Sequence, residues 1–324
     1  MNTNPKKIEH FCTLFDHKFL PMGMSLHQSL MIHAQSFHLW IICMDELVEE
    51  QLRILALPQV SLIPLKEIET LELLAIKTER NRGEYCWTMT PFTFTAVFER
   101  QSDIERVTYL DADLYFFRNP QILLKELDES DRDILITEHS YAPEYDQTLL
   151  YGKFCVQFLT IKNNISGNQI IQWWKNKCLE CCSSSLIDGK FGDQKYLDIW
   201  PTLFPENIWI LQQKENTLAP WNVTYFKKYL GCQLSPVFYH FHSLRIINSQ
   251  IILLFYGYRV IGSAISFYEN YCKSLIESLA IMKRFNIPID DIGFENFFNN
   301  WSIKRWIKYL ISGKIRFKIL PNFN

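Results

Sequence analysis

The chain lacks the two glycine signatures that mark most nucleotide-binding loops. Neither G-x-G-x-x-G nor G-x-x-x-x-G-K-[ST] occurs in its 324 residues, so dinucleotide and P-loop readings have no anchor. A cysteine framework is missing too. Nine cysteines are an odd count without regular spacing, and the densest group, Cys178, Cys181 and Cys182, has no second Cys/His pair at zinc spacing. Buried thiols in a reducing compartment follow. No apolar run reaches the roughly 20 residues of a membrane span. The most apolar late stretch, 246–268, is broken by Asn248, Ser249, Gln250 and Arg259. No apolar segment follows Lys6 and Lys7, so no secretory signal is expected. Net charge is close to nil at −2, which excludes a nucleic-acid polyelectrolyte. The expected setting is cytoplasmic.

What is present is core material. Hydrophobic residues make up 48% and aromatics 15% of the chain, enough for two compact domains or one large α/β unit. Residues 8–15, 37–44, 60–65 and 106–110 read as strands. Between them, helices are expected over 25–33 and from a cap at Asp45 to residue 55, with a further helical segment reaching about Thr78. Thr90-Pro91 reads as an N-cap and first helical position, opening a helix to Arg100. Alternation of this kind implies a mostly parallel sheet with ligands beyond the carboxyl ends of the strands. Further on, 133–137, 153–161, 208–212 and 237–241 read as strands, and 166–182 and the chain after about 260 as helical.

One strand ends on charge. In "VTYLDADLYFF" (107–117), Asp111 and Asp113 interrupt an apolar run. Unpaired carboxylates are expensive to bury. Two of them at a strand mouth suit a hard cation, Mn²⁺ or Mg²⁺, with coordination positions left for phosphate oxygens.

"YLDADLYFFRNP" resembles the D-x-D segment of nucleotide-sugar glycosyltransferases of the GT-A fold, in particular the retaining family 8 type that includes glycogenin and bacterial lipopolysaccharide galactosyl- and glucosyltransferases. Three other segments are similar in order: "FCTLFDHKFLPMGMSLHQSL" (11–30), "FGDQKYLD" (191–198) and "FYHFHSLRII" (238–247). The resemblance implies an α/β GT-A fold, with a catalytic domain over 1–260 (nucleotide-binding half 1–130, sugar and acceptor half 131–260) and a helical C-terminal extension over 261–324. It implies that Asp111, Asp113 and His240 hold the metal. Thr13, Phe15, Asp16, Asp111 and Arg245 would serve the donor nucleotide, and Asp193 and Gln194 would face the donor sugar as catalytic residues. Departures are visible: Cys155 and Gln157 stand where the family carries Asn and Gly, Ser243 where it carries Gly, Arg245 one place early for its Lys, and Thr95 where glycogenin-like members carry a lysine.

Two segments lie outside the resemblance. In "TERNRGEYCWTMTPF" (78–92), Arg80 is a candidate for the diphosphate, since guanidinium grips phosphate bidentately. In "LAPWNVTYF" (218–226), Trp221 and Asn222 could offer a stacking face and an amide to a sugar. The tail 297–324 mixes aromatics with Lys304, Arg305, Lys308, Lys314, Arg316 and Lys318 and has no acidic residue after 300. Such a segment suits an anionic membrane surface, which would make the protein peripheral. The functional expectation is a metal-dependent hexosyltransferase using a nucleoside diphosphate sugar, UDP-linked, with a glycan, lipid-linked sugar or protein as acceptor, in lipopolysaccharide or capsule biosynthesis. Two alternatives stay open: a degenerate relative that binds sugar nucleotides or a partner without turnover, and a nucleotidyltransferase.

Overall fold

The computed structural model describes residues 7–260, 262–289 and 301–320. Along the chain the order is β1 (Glu9–Phe15), α1 (Leu20–His33), β2 (Phe37–Cys43), α2 (Glu46–Leu55), β3 (Val60–Pro64), α3 (Leu71–Lys77), α4 (Arg82–Arg100), β4 (Arg106–Leu110), β5 (Leu114–Phe116), α5 (Gln121–Asp128), β6 (Ile134–Glu138), α6 (Thr148–Tyr151), β7 (Phe154–Lys162), α7 (Ile165–Glu180), α8 (Trp200–Leu203), β8 (Ile208–Ile210), β9 (Thr217–Leu218), β10 (Phe238–His240), β11 (Arg245–Asn248), β12 (Ile251–Tyr256), α9 (Ile265–Arg284), α10 (Ile303–Ile311) and β13 (Ile315–Ile319).

A seven-stranded sheet in the order β3-β2-β1-β4-β7-β6-β8 forms the centre. The pairs among β3, β2, β1 and β4 are parallel, while β7 runs antiparallel to both β4 and β6. The strands are apolar because both faces are covered. Along β1, Phe11 and Phe15 enter one core and Cys12 and Leu14 the other, as the period of two requires. Arg106 fixes the entry of β4. Its guanidinium grips both Glu9 oxygens, at 3.0 and 2.7 Å, and also pairs with Asp128.

Beyond β4 the chain makes a tight step, Leu114 N–H donating to Asp111 C=O at 3.2 Å, and enters a second sheet, β5-β10-β9. A third sheet joins β11, β12 and β13.

Several expected boundaries move. The first helix starts at Leu20, not Ser25, because Pro21 sits in its first turn, where no intrahelical N–H is needed. The helix expected to open at Thr90-Pro91 begins at Arg82. Asn81 and Glu84 form a capping box there, and Pro91 is carried inside the helix. A mid-helix proline costs about 3 kcal/mol; burial of Phe92, Phe94, Val97 and Phe98 around it offsets that. The region after 260 is not all helical: 315–319 adds a strand to β12. Helix α9 packs along α1, with Ser25 and Ser278 hydroxyls 3.2 Å apart and Gln28 donating to Glu277 at 2.6 Å. Residues 297–300 and 321–324 of the basic tail lie outside the described residues.

Candidate active site

Parallel strands β1 and β4 deliver Asp16 and Asp111 to the same carboxyl end of the central sheet. Strand pairing then brings the rest. His240 lies opposite Leu114 in the β10–β5 ladder, and Phe241 N–H donates to Asp113 C=O at 3.0 Å. The imidazole Nε2 therefore sits 3.0 Å from Asp113 Oδ1 and 3.8 Å from Asp111 Oδ2. On the other side, Asp111 N–H donates to Gln157 C=O at 3.1 Å, and the Gln157 side-chain oxygen lies 2.7 Å from His240 Nδ1. With Nδ1–H donating to Gln157, Nε2 is aimed at the two carboxylates.

The charges of this group are interdependent. Burial would raise the Asp113 pKa, but the His240 charge and hydrogen bond, with help from Arg245, hold it well below the carboxylate range. Asp111 shifts the other way: burial raises it and the Asp113 charge adds to the rise, against His240. Burial alone would lower His240, yet Asp113 and Asp111 outweigh it and keep the imidazole easily protonated. A divalent ion can replace that proton, leaving a neutral imidazole ligand.

The donor set fits Mn²⁺ or Mg²⁺: two carboxylates and one imidazole converge, and the imidazole is already oriented by an amide. Cys155, two residues before Gln157 on the same face of β7, brings its sulfur within 4.8 Å of Asp111 and His240 donor atoms.

Asp193 and Gln194 follow Gly192, whose φ of +51° lies in the left-handed region that favours glycine. Trp174 Nε1 donates to Asp193 C=O at 2.9 Å and locks the turn. The Asp193 side chain is buried with Oδ2 unpartnered. Burial pushes its carboxyl up to about 7, with the Asp111 charge adding to the rise and Thr90 opposing it. Gln194 donates through Nε2 to Tyr151 C=O at 3.0 Å.

Other expected contacts are placed differently. Arg80 donates to Leu179 C=O at 2.8 Å and to Thr88, tying α4 to the end of α7. Arg82 is the arginine of that segment that reaches the β1 turn, where it pairs with Asp16 and Asp45. Asp16 also caps the turn by accepting from Lys18 N–H at 2.9 Å. Thr13 lies mid-strand opposite Ile41 and is fully buried, and Phe15 is packed over Gly23. The Thr13 hydroxyl is buried without a hydrogen-bond partner. Asn222 is fully buried and spends its amide on Ala219 N–H (2.8 Å), His139 C=O (3.0 Å) and Thr217 C=O (3.1 Å), which leaves nothing for a sugar. Trp221 is buried edge-on to His240 at 5.1 Å, with Nε1 donating to His139 C=O at 2.9 Å, so it walls the site from behind. Arg245 remains close enough for its charge to depress Asp113, and it lies over the Phe19 ring. Gln157 and Cys155 are site residues that strand pairing reveals; in the sequence they appeared only as departures from the resembled pattern.

No family model matches the chain. Among proteins of known sequence, it is 34% identical over 252 residues to the uncharacterized protein YfnF of Bacillus subtilis (strain 168), covering 74% of this chain and 82% of YfnF. It is 28% identical over 268 residues to the uncharacterized protein YfnD of the same organism, covering 78% of this chain and 83% of YfnD. Among solved structures it is similar to the glycosyltransferase GlyE of Streptococcus pneumoniae TIGR4 (TM-score 0.52, 17% identity, 87% of this chain and 64% of that one). It is also similar to mouse xyloside xylosyltransferase 1 (TM-score 0.51, 16% identity, 72% of this chain and 97% of that one). The galactosyltransferase LgtC, solved with donor and acceptor sugar analogs, superposes with a TM-score of 0.50 at 11% identity, over 82% of this chain and 95% of that one. The chain belongs to the family of YfnF, and its fold is the GT-A fold of these glycosyltransferases.

Proposed function

We propose that this protein is a metal-dependent glycosyltransferase that moves a hexose from a nucleoside diphosphate sugar, UDP-linked, to a glycan, a lipid-linked sugar or a protein, with retention at the anomeric carbon. The observation that carries the reading is the convergence of Asp111, Asp113 and His240 where the central sheet meets the β5-β10-β9 sheet. These three residues would hold Mn²⁺ or Mg²⁺, which when bound neutralises the diphosphate leaving group. Gln157 keeps His240 Nε2 turned toward the cation position. Arg245 and the Arg82–Asp16 pair would serve the nucleotide, and Asp193 and Gln194 the donor sugar; the Arg245 charge that reaches Asp113 and the Asp111 charge that reaches Asp193 support this reading. Charge stabilisation at the departing phosphate supplies most of the rate.

Calorimetry and donor hydrolysis with Mn²⁺ against UDP-, GDP- and TDP-sugars test this. A UDP-sugar should bind and turn over, and Asp111→Asn or Asp113→Asn should reduce turnover by about 100-fold or more. Binding by no donor, or turnover untouched by both substitutions, refutes it. Binding without turnover assigns a sugar-nucleotide-binding protein instead.

A peripheral position at an anionic membrane is proposed from α10. No helix among the described residues is long and apolar enough to cross a membrane. Ile303, Ile307, Leu310 and Ile311 are exposed at helical spacing, beside Lys304, Arg305 and Lys308, while Trp306 and Tyr309 pack inward. Because β13 pairs with β12, the tail should not be deleted; Ile307→Gln with Ile311→Gln is the cleaner probe. The pair should abolish sedimentation with phosphatidylserine vesicles. Sedimentation equal to wild type refutes the contact.

A further inference from the structure

The ring of hard donors around the cation position contains one soft atom. Cys155 and Gln157 lie two apart on β7, so their side chains leave the same face. Gln157 is fixed beside Asp111 through its backbone and to His240 through its side chain, and this register carries Cys155 to the same spot. Cys155 Sγ, an Asp111 carboxylate oxygen and a His240 ring nitrogen all lie within 4.8 Å of one another. An ion bonded to nitrogen, oxygen and sulfur at about 2.0–2.3 Å spaces its ligand atoms by up to about twice that length. One ion can therefore reach all three with small side-chain rotations. Asp113 Oδ1 lies 3.0 Å from His240 Nε2 and is not needed for this set. Cys155 is backed by Ala142, Ala219 and Trp221, so its sulfur stands against a dry apolar wall.

Two donor sets thus share one position. Asp111, Asp113 and His240 are a set for Mg²⁺ or Mn²⁺. Exchange of one carboxylate for a thiolate turns the same position toward Zn²⁺ and Co²⁺, which favour sulfur ligands. We propose that Asp111, Cys155 and His240 form a thiophilic metal site that captures Zn²⁺ or Co²⁺ and competes there with the hard cation. Binding forms a metal–sulfur bond as the thiol proton passes to solvent; nothing is oxidised. The competition rests on the proposed function, whereas the capture does not.

The test is Co²⁺ titration of the full-length reduced protein, without nucleotide, followed by absorption. Wild type should develop a near-ultraviolet thiolate-to-cobalt charge-transfer band together with tetrahedral visible bands, and Zn²⁺ should remove both. In Cys155→Ser the charge-transfer band should vanish, and Zn²⁺ affinity should fall at least about 10-fold while Mn²⁺ affinity moves far less. If that variant folds poorly, Cys155→Ala is read in its place, because eight other cysteines could bind cobalt. Co²⁺ bound without the band, a band that survives Cys155→Ser, or no Co²⁺ binding overturns the site. A cobalt band in a protein that binds no UDP-sugar keeps this inference and sinks the transferase reading, so the two fail separately.

Discussion

Asp193→Asn should make the protein more stable at alkaline pH and less active. The carboxyl is buried with one oxygen unpartnered, and its pKa is pushed up to about 7. In the unfolded chain an aspartate titrates near about 3.9. A folded pKa above the unfolded one means that the folded state prefers the protonated acid. Wild-type stability therefore falls as pH rises from about 4 to 7, and the loss is complete above 7. About three pKa units correspond to about 4 kcal/mol. The asparagine amide adds a poorly satisfied donor, which takes back about 1–2 kcal/mol. The net gain at pH 8 is about 2–3 kcal/mol, and near pH 5, where wild type has lost less than half of the total, the two proteins should be about equal. For 324 residues, an unfolding entropy of about 0.7 kcal/mol/K converts the gain into a Tm rise of about 3–4 °C. Calorimetry of both proteins from pH 5 to pH 8, without metal, reads it. A Tm difference that does not widen with pH, or an asparagine variant that is less stable at pH 8, refutes the reasoning. If Asp193 faces the donor sugar as proposed, turnover falls in the same variant.

Three further outcomes are expected. Gln157→Leu removes the acceptor that orients His240, so Mn²⁺ affinity by calorimetry should fall about 10- to 100-fold with little change in Tm. Asn222→Ala should cost about 2–3 kcal/mol in denaturant unfolding, because the Thr217 C=O and the Ala219 N–H lose their Asn222 partner while His139 C=O keeps Trp221 Nε1, and the donor KM of the folded protein should stay within about twofold. Ser243 holds a φ of +68°, which favours glycine, but its buried hydroxyl accepts from Tyr256 N–H at 3.4 Å, so Ser243→Gly should change stability by less than about 1 kcal/mol in the same assay.

The parallel half of the sheet was legible because each strand there is buried on both faces and so reads as an apolar run. The Asp111–Asp113 pair was legible for the opposite reason, as charge where burial is costly. Helix starts were read less well. Thr90-Pro91 drew the start nine residues too late, although Asn81 and Glu84, three apart, already spelled a capping box upstream. At the site, the resemblance supplied the set of metal candidates, but the sequence could not separate Arg80 from Arg82. Two residues apart on a chain entering a helix, they point to different neighbours, and packing decides between them. Asn222 misled because a buried amide that closes a turn carries the same letter as one that binds a sugar. Cys155 and Gln157 become meaningful only through the antiparallel register of β7 on β4, a pairing across about fifty residues.

The turn Asp111–Ala112–Asp113 has a mechanical consequence. It is the joint at which the chain leaves the seven-stranded sheet for the smaller one; His240 belongs to the smaller sheet, while Asp111 is tied to the larger through its N–H to Gln157 C=O on β7. Whatever occupies the space between them acts as a rivet through two plates. Loading and unloading the site should therefore change how stiffly the two sheets move together, and hydrogen exchange at β5 and β10 would register occupancy at a distance from the carboxylates themselves.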